Sequence, residues 1–416
     1  MKHWKLLFAT LLFTISLSGC GASSSDSTGN ADSPTALPTA TESFDTTTTN
    51  TSDSAATNTP DVPAPDTENT QPETLQSQFA QYDMKTGTCL SSYMTGNKAC
   101  VKLIKEHFNS ITLENDMKPD YILDQKASKK ADDLVVSFNY NTRSLLDWCQ
   151  ENNMAVRGHT LVWYSQTPNW IFYEDFNPNN ALVSRETMLA RMESYIRQTF
   201  EKLEELGYLD MFYAYDVVNE AWMEDGTKRD NLWLKTIGED YMWYAFYYAD
   251  KYAPETIDLY YNDYNEQYKT DALYDFVQTL VDEEGRYLID GIGLQAHLYT
   301  EDNLTDYLAT VEKLGSLGLK VNLTELDVCL GSWPEIKPAT EENLKAQGQY
   351  YYNLINGLLQ LVAEEKVEMD AITFWGFTDK LSWRGERNPA LFNNMYQPKY
   401  AYYGAMQQKE LAGFTE

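Results

Sequence analysis

Ala214-Tyr-Asp-Val-Val-Asn-Glu-Ala221 is a run of apolar and β-branched residues that closes on an amide and a carboxylic acid. It reads as a buried strand whose last residues turn into a polar rim. Asp216, Asn219 and Glu220 are costly residues to place among apolar neighbours. Burial disfavours the charged form of a carboxyl group and raises its pKa. That suits an acid that must keep its proton near neutral pH. Taken alone, the octapeptide has a plainer reading as well, a strand simply running out into a polar loop, and it is the weaker of the two. Its pattern recurs along the chain, and the recurrence decides the fold.

Seven further apolar runs have the same form. The first predicted strand is Gly87–Tyr93. The second, Ser110–Leu113, ends on Glu114-Asn115, and the third, Ala155–Leu161, on Val162-Trp163. After the strand carrying Glu220 come Thr256–Tyr261, ending on Asn262-Asp263, and Gly291–Leu294, ending on Gln295-Ala-His297. The last two are Lys320–Thr324, ending on Glu325-Leu-Asp327, and Ala371–Phe374, ending on Trp375. Helices are predicted between them over Lys98–His107, Arg143–Asn152, Arg185–Leu206, Thr270–Glu283, Thr305–Leu317 and Glu341–Glu365, with a last one at Ala401–Ala412. Continuous apolar strands alternating with amphipathic helices indicate parallel strands covered by helices. Eight such units predict an α/β fold, a (β/α)8 TIM barrel of roughly 250 residues plus insertions. An open doubly wound sheet would usually carry a glycine-rich phosphate turn after its first strand, and none is present. In a barrel the strand endings share one face, where catalytic residues sit.

The ends of the chain read differently. Lys2 and Lys5 precede an apolar run, Leu6–Leu17, which reads as a secretory signal and is short for a membrane span of roughly 20 residues. Leu17-Ser-Gly-Cys20 resembles the bacterial lipobox, which implies a lipoprotein signal over 1–19, lipidation of Cys20 and a lipid-anchored, cell-surface protein. Residues 20–77 are rich in Ser, Thr, Asp, Asn and Pro, with too little apolar surface to offset ordering entropy, and are expected to form a disordered linker. The folded domain is expected over 78–413. The remaining cysteines, Cys89, Cys100, Cys149 and Cys329, lack zinc-site spacing, and their pairing stays open, with Cys89 and Cys100 the nearest couple. A formal net charge of −30 argues against nucleic acid as a partner and favours a neutral or basic substrate. Aromatics reach 13%, with 30 Tyr and 10 Trp, which suits sugar stacking and a large aromatic core alike.

Glu220 and Glu325 end the fourth and seventh predicted strands. Two carboxyl groups facing one sugar ring are what glycoside hydrolysis requires, one giving a proton to the leaving oxygen and the other serving the ring carbon. Asn219 is placed to bond a sugar hydroxyl. His297, next door to the seventh strand, is placed to bond Glu325, with Asp327 orienting it. Trp163, Trp375 and Trp383 are candidate walls for a pyranose ring. Among the four histidines no metal-binding spacing occurs, so no metal and no cofactor is expected.

At these residues the chain resembles the family-10 glycoside hydrolases, the endo-β-1,4-xylanases. The motifs are Phe108-Asn-Ser-Ile-Thr-Leu-Glu-Asn-Asp-Met-Lys118, Arg157-Gly-His-Thr-Leu-Val-Trp163, Asp216-Val-Val-Asn-Glu-Ala221, Tyr261-Asn-Asp-Tyr-Asn265, Gly293-Leu-Gln-Ala-His297, Thr324-Glu-Leu-Asp327 and Phe374-Trp-Gly-Phe-Thr-Asp-Lys-Leu-Ser-Trp383. The resemblance implies Glu220 as acid/base and Glu325 as nucleophile in a retaining double displacement on xylan. It implies Glu114, Asn115, Lys118, His159, Trp163, Gln166, Gln295, Trp375 and Trp383 as sugar-binding residues on the non-reducing side of the cleavage point. Trp383 would crowd the hydroxymethyl of glucose. The chain departs from the family pattern at Tyr164, where His is usual, and at Asp116 and Asp120, where Glu is common. The alternatives are a β-1,4-glucanase on the same barrel and a non-catalytic sugar-binding lipoprotein. A monomer is expected.

Overall fold

Eight parallel strands close into a ring: β1 (Lys85–Leu90), β2 (Ser110–Leu113), β3 (Ala155–Trp163), β4 (Phe212–Asn219), β5 (Asp258–Asp263), β6 (Gly291–Leu294), β8 (Lys320–Cys329) and β9 (Ala371–Phe374). The closing pairs are β6 with β8 and β9 with β1. A short strand between them, β7 (His297–Tyr299), pairs only with β8 and extends that wall at the mouth. The structure, a computed structural model, describes residues 73–414. The signal segment, Cys20 and nearly all of the predicted linker lie outside the described residues.

Each strand is short, apolar and covered on both faces, so Ser110-Ile-Thr-Leu113 is buried at every position. The helices that cover them start on side-chain caps. Asn97 accepts from the Ala99 and Cys100 amides, Ser184 from Thr187 and Thr340 from Asn343, each satisfying otherwise orphaned N–H groups.

The structure shifts several boundaries. A helix over Leu75–Ala80, capped by a reciprocal Thr74–Ser77 pair, begins ahead of Gln78. Leu75 and Phe79 are fully buried there; a single leucine inside a polar run gives no periodic signal. The first strand ends at Leu90, and Tyr93 lies in a short helix, Ser92–Thr95. The helix Tyr241–Tyr252 between β4 and β5 was not anticipated. Its run of Tyr, Trp and Phe puts aromatic rings on nearly every side, which hides the helical period. The helix after β5 stops at Val277 and the last one at Ala405, both short of the predicted ends. All four barrel cysteines are buried free thiols, so Cys89 and Cys100 are not paired.

Inside the ring, Arg157 stacks on Tyr260 at 4.2 Å and donates to Asp216 Oδ1 from Nε at 3.1 Å and Nη2 at 2.5 Å. Asp216 therefore faces the barrel interior beneath the mouth. Gly158 is required by its neighbour: a Cβ there would stand 2.3 Å from the Tyr215 ring. Gly293 is required by the mouth itself, since a Cβ would stand 2.4 Å from Asn262 Oδ1.

Candidate active site

The C-terminal ends of the strands surround a cleft of about 1450 Å³. That exceeds the roughly 300–1,000 Å³ of a small-molecule pocket and suits a polymer. Glu114, Asn115, Lys118, His159, Trp163, Gln166, Glu220, Gln295, His297, Glu325, Trp375 and Trp383 all line it. Asn219 and Asp327 lie behind that surface: Asn219 touches Glu220, and Asp327 faces His297.

Glu220 follows the last residue of β4 with φ at 55°, in the left-handed region. A non-glycine residue there costs about 1–2 kcal/mol. The turn is held by its own N–H, which donates to Asn262 O at 2.9 Å, and by Arg229 Nε, which donates to Glu220 O at 2.9 Å. Gln295 Nε2 donates to Glu220 Oε1 at 3.0 Å, and Asn219 Nδ2 does so at 3.2 Å. Burial raises the Glu220 pKa above the ordinary glutamate value; the Gln295 bond opposes this, and the charges of Asp263 and Glu325 add to the rise.

Glu325 sits inside β8 and is supported differently. Asn262 Nδ2 donates to its Oε1 at 2.9 Å, and His297 Nε2 lies 3.2 Å from its Oε2. Burial works to raise its pKa. The His297 bond and the positive charges of His159, His297 and Lys118 outweigh burial, and the carboxyl falls below the ordinary value. His297 Nδ1 stands 3.2 Å from Asp327 Oδ1, off the axis of a good hydrogen bond. Burial works to lower the His297 pKa, but Asp327 and Glu325 together push it up to about 9. Arg384 Nη1 donates to Asp327 Oδ1 at 2.6 Å and balances the second carboxylate.

One amide ties the two acids together. Asn262 Nδ2 donates both to Glu325 Oε1 and, at 2.9 Å, to Asn219 Oδ1, while Thr324 Oγ1 donates to Asn262 Oδ1 at 2.5 Å. Sequence reasoning placed Asn262 at a strand end without giving it a role. Its position inside Tyr261-Asn-Asp-Tyr-Asn265 was the available signal. Tyr264, Tyr299 and Arg384 also line the cleft without having been assigned to it.

On the β2 side, Lys118 Nζ donates to Asn115 Oδ1 at 3.1 Å and lies 4.9 Å from the Trp163 ring centroid. Gln166 Nε2 donates to the same Asn115 oxygen at 3.2 Å. Glu114 accepts from Ser91 Oγ. His159 stands on the floor, its Nδ1 2.9 Å from Asp216 Oδ2 and its ring against Trp375 at 5.8 Å. Trp163 Nε1 and Gln166 Oε1 are buried without a protein partner, the state expected of groups that meet ligand hydroxyls. Tyr164 is exposed beneath Arg229, whose guanidinium lies 4.3 Å from its ring centroid. Asp116 and Asp120 do not line the cleft. Among the described residues no group of three or more His, Cys, Asp or Glu could hold a metal ion.

The sequence profile of Glycosyl hydrolase family 10 matches residues 74–408. The chain belongs to glycosyl hydrolase family 10. Within this family it is 35% identical over 347 residues to endo-1,4-beta-xylanase B of Butyrivibrio fibrisolvens, covering 80% of this chain and 53% of that protein. It is 39% identical over 342 residues to the bifunctional endo-1,4-beta-xylanase XylA of Ruminococcus flavefaciens, covering 79% of this chain and 33% of that one. The chain thus spans about half or less of the length of these two relatives. A solved family 10 module of Clostridium thermocellum, the CBM22-1–GH10 part of endo-1,4-beta-D-xylanase 10B complexed with xylohexaose, superimposes with a TM-score of 0.73 at 34% identity. That match covers 82% of this chain and 69% of the other.

Proposed function

We propose that the chain is an endo-1,4-β-xylanase that cleaves internal xylosidic bonds of xylan with retention of configuration. The observation that carries this reading is the pair Glu220 and Glu325, linked through Asn219 and Asn262, with pKa values moved in opposite directions. Protonated Glu220 gives its proton to the glycosidic oxygen as the carbon–oxygen bond breaks, and the Glu325 carboxylate bonds to the anomeric carbon. Glu220, now a carboxylate, takes a proton from water. The resulting attack on that carbon releases Glu325 and restores both residues. Asn115, Lys118, His159 and Gln166 bind the sugars on the non-reducing side, against Trp163 and Trp375. Trp383, packed edge-on to His297 at 5.2 Å, crowds a hydroxymethyl group and selects xylose over glucose. Release of new reducing ends from xylan, compared with carboxymethylcellulose, tests the reading. Equal or greater release from the cellulose derivative would overturn the xylose preference.

The same pair sets the pH dependence. Glu325 must be ionised, so the rate is lost as pH falls through its lowered pKa. Glu220 must hold its proton, so the rate is lost as pH rises through its raised pKa. The expected kcat/KM profile is a bell whose limbs straddle the ordinary glutamate value. His297→Asn removes a positive charge from Glu325, and its acidic limb is expected to move to higher pH. An unmoved limb would show that His297 does not hold the nucleophile ionised.

We also place the enzyme outside the cell, tethered through lipid on Cys20 by the polar stretch that follows. Lys2, Lys5, the apolar run Leu6–Leu17 and Leu17-Ser-Gly-Cys20 support this. Fatty-acid labelling of the full chain is expected to disappear in Cys20→Ala; retained label would refute the anchor.

A further inference from the structure

Three neighbouring side chains end β5, and the reaction above uses only the middle one. Asn262 points into the barrel and bonds Glu325 and Asn219. Tyr261 and Asp263 flank it, and alternation along the strand sends them to the other face, towards the helices. There Tyr261 packs against Phe276 at 5.2 Å between ring centroids. Both side chains are fully buried, and neither lines the cleft. Asp263 is surrounded by donors. Lys269 Nζ donates to its Oδ1 at 2.7 Å, the Tyr264 N–H donates to the same oxygen at 2.9 Å, and the Tyr261 hydroxyl donates to its Oδ2. Lys269 is buried too, just ahead of the helix Thr270–Val277. A buried ammonium needs a counter-charge, and Asp263 is the carboxylate it touches.

The bonds continue past Asp263. Lys269 Nζ also donates to Trp222 O at 2.9 Å, and the Tyr261 hydroxyl also accepts from the Ala221 N–H at 3.0 Å. Ala221 and Trp222 are the two residues that follow Glu220. The chain passes through Glu220 in the left-handed region, a conformation that persists only where the surroundings over-determine it. Its own N–H is fixed on Asn262 O, and the next two residues are fixed on Tyr261 and Lys269. We propose that Tyr261, Asp263 and Lys269 are positioning residues for the acid/base, a buried relay that grips Ala221 and Trp222 by their backbone and so aims the Glu220 carboxyl at the glycosidic oxygen. This rests on the xylan reading of the same cleft. β5 then serves both acids, the nucleophile from its inner face and the acid/base from its outer face. A lost grip costs the proton transfer rather than sugar binding, because the transfer depends on aim and none of the three side chains lines the cleft.

The charge of Asp263 also reaches Glu220, where it adds to burial and to Glu325 in raising the pKa. The other charged or titratable groups facing Glu220 are Lys118, Tyr164, Arg229 and Tyr264. Around Asp263 itself stand Lys269, Tyr241 and Glu266, the last fully buried with its pKa pushed up to about 7, chiefly by burial. Replacing Asp263 by a neutral amide removes a negative charge and leaves Lys269 positive. Both changes favour the ionised form of Glu220.

The test uses the full chain and two substrates that differ in their need for the acid. The leaving oxygen of xylohexaose needs a proton from Glu220, whereas 2,4-dinitrophenyl β-xylobioside loses a stable phenolate without one. Tyr261→Phe keeps the ring against Phe276 and removes only the hydroxyl. Its kcat on xylohexaose is expected to fall roughly 5- to 20-fold, a part of the 10²- to 10⁴-fold of general acid catalysis, with KM within about twofold. Its dinitrophenolate burst rate is expected to stay within about twofold of wild type. In Asp263→Asn the basic limb of the kcat/KM profile on xylohexaose is expected to move to lower pH. Equal loss on both substrates in Tyr261→Phe would mark general damage to the barrel and overturn the relay. Unchanged hexaose turnover in that variant, or an unmoved basic limb in Asp263→Asn, would overturn it as well, and Tyr261→Phe decides alone if Asp263→Asn does not fold. A wild-type protein inert on both substrates would overturn the xylan reading, and the relay with it.

Discussion

Glu325→Ala is expected to lower xylan hydrolysis by a factor on the order of 10⁴ or more, while leaving a folded barrel. The carboxylate is the atom group that must bond to carbon, and no neighbour can substitute. Asn262 and Thr324 present an amide and a hydroxyl, and His297 still has the Asp327 carboxylate beside it, which favours its protonated form. A merely structural role would show itself as lost stability, so the decisive readout is chemical. A small anion such as azide, admitted to the space vacated by the side chain, can attack the anomeric carbon of an activated aryl xyloside from the same face. The product is then a glycosyl azide of inverted configuration, formed without water. Xylan turnover near the wild-type rate, or no azide adduct with a folded variant, would remove Glu325 from the nucleophile role.

The second large effect belongs to Glu220→Gln and depends on the leaving group. Xylan, whose leaving oxygen needs a proton, is expected to lose roughly 10²- to 10⁴-fold. An aryl xylobioside with an acidic phenol needs no such help in the first step. It should release a rapid burst of phenolate and then stall, because no base remains to activate water. The covalent intermediate should accumulate, and mass spectrometry should find the added xylobiosyl mass on the peptide containing Glu325. Equal loss on both substrates would show that Glu220 positions rather than protonates. The amide replacement keeps a partner for the Gln295 and Asn219 side chains, which now donate to the carboxylate at 3.0 and 3.2 Å.

The barrel was legible because its strands are uninterrupted apolar runs that end on chemically unusual residues. The two acids were legible for the same reason: Glu220 and Glu325 stand where a strand meets the mouth. What the sequence hid has physical causes. The helix Tyr241–Tyr252 has no polar face to mark its period. The capped helix Leu75–Ala80 continues the composition of the polar stretch before it. Asp216 sits in the same octapeptide as Glu220 yet belongs to a buried Arg157–Asp216–His159 ladder under the floor, because it lies inside β4 and so deeper in the barrel, whereas Glu220 sits in the turn past the strand's end. Asn262 was hidden because an amide at a strand end carries no charge to draw attention.

The four free thiols carry a practical consequence. Cys89, Cys100, Cys149 and Cys329 are interior atoms of the barrel with no covalent bond between them. Production in a reducing cytoplasm therefore forfeits no crosslink within the domain, and dithiothreitol should leave its melting curve in place. The same thiols make an internal reporter. A maleimide reaches them only when the barrel opens, so the modified fraction at a given temperature counts the molecules that have breathed, strand by strand and helix by helix, without any added probe.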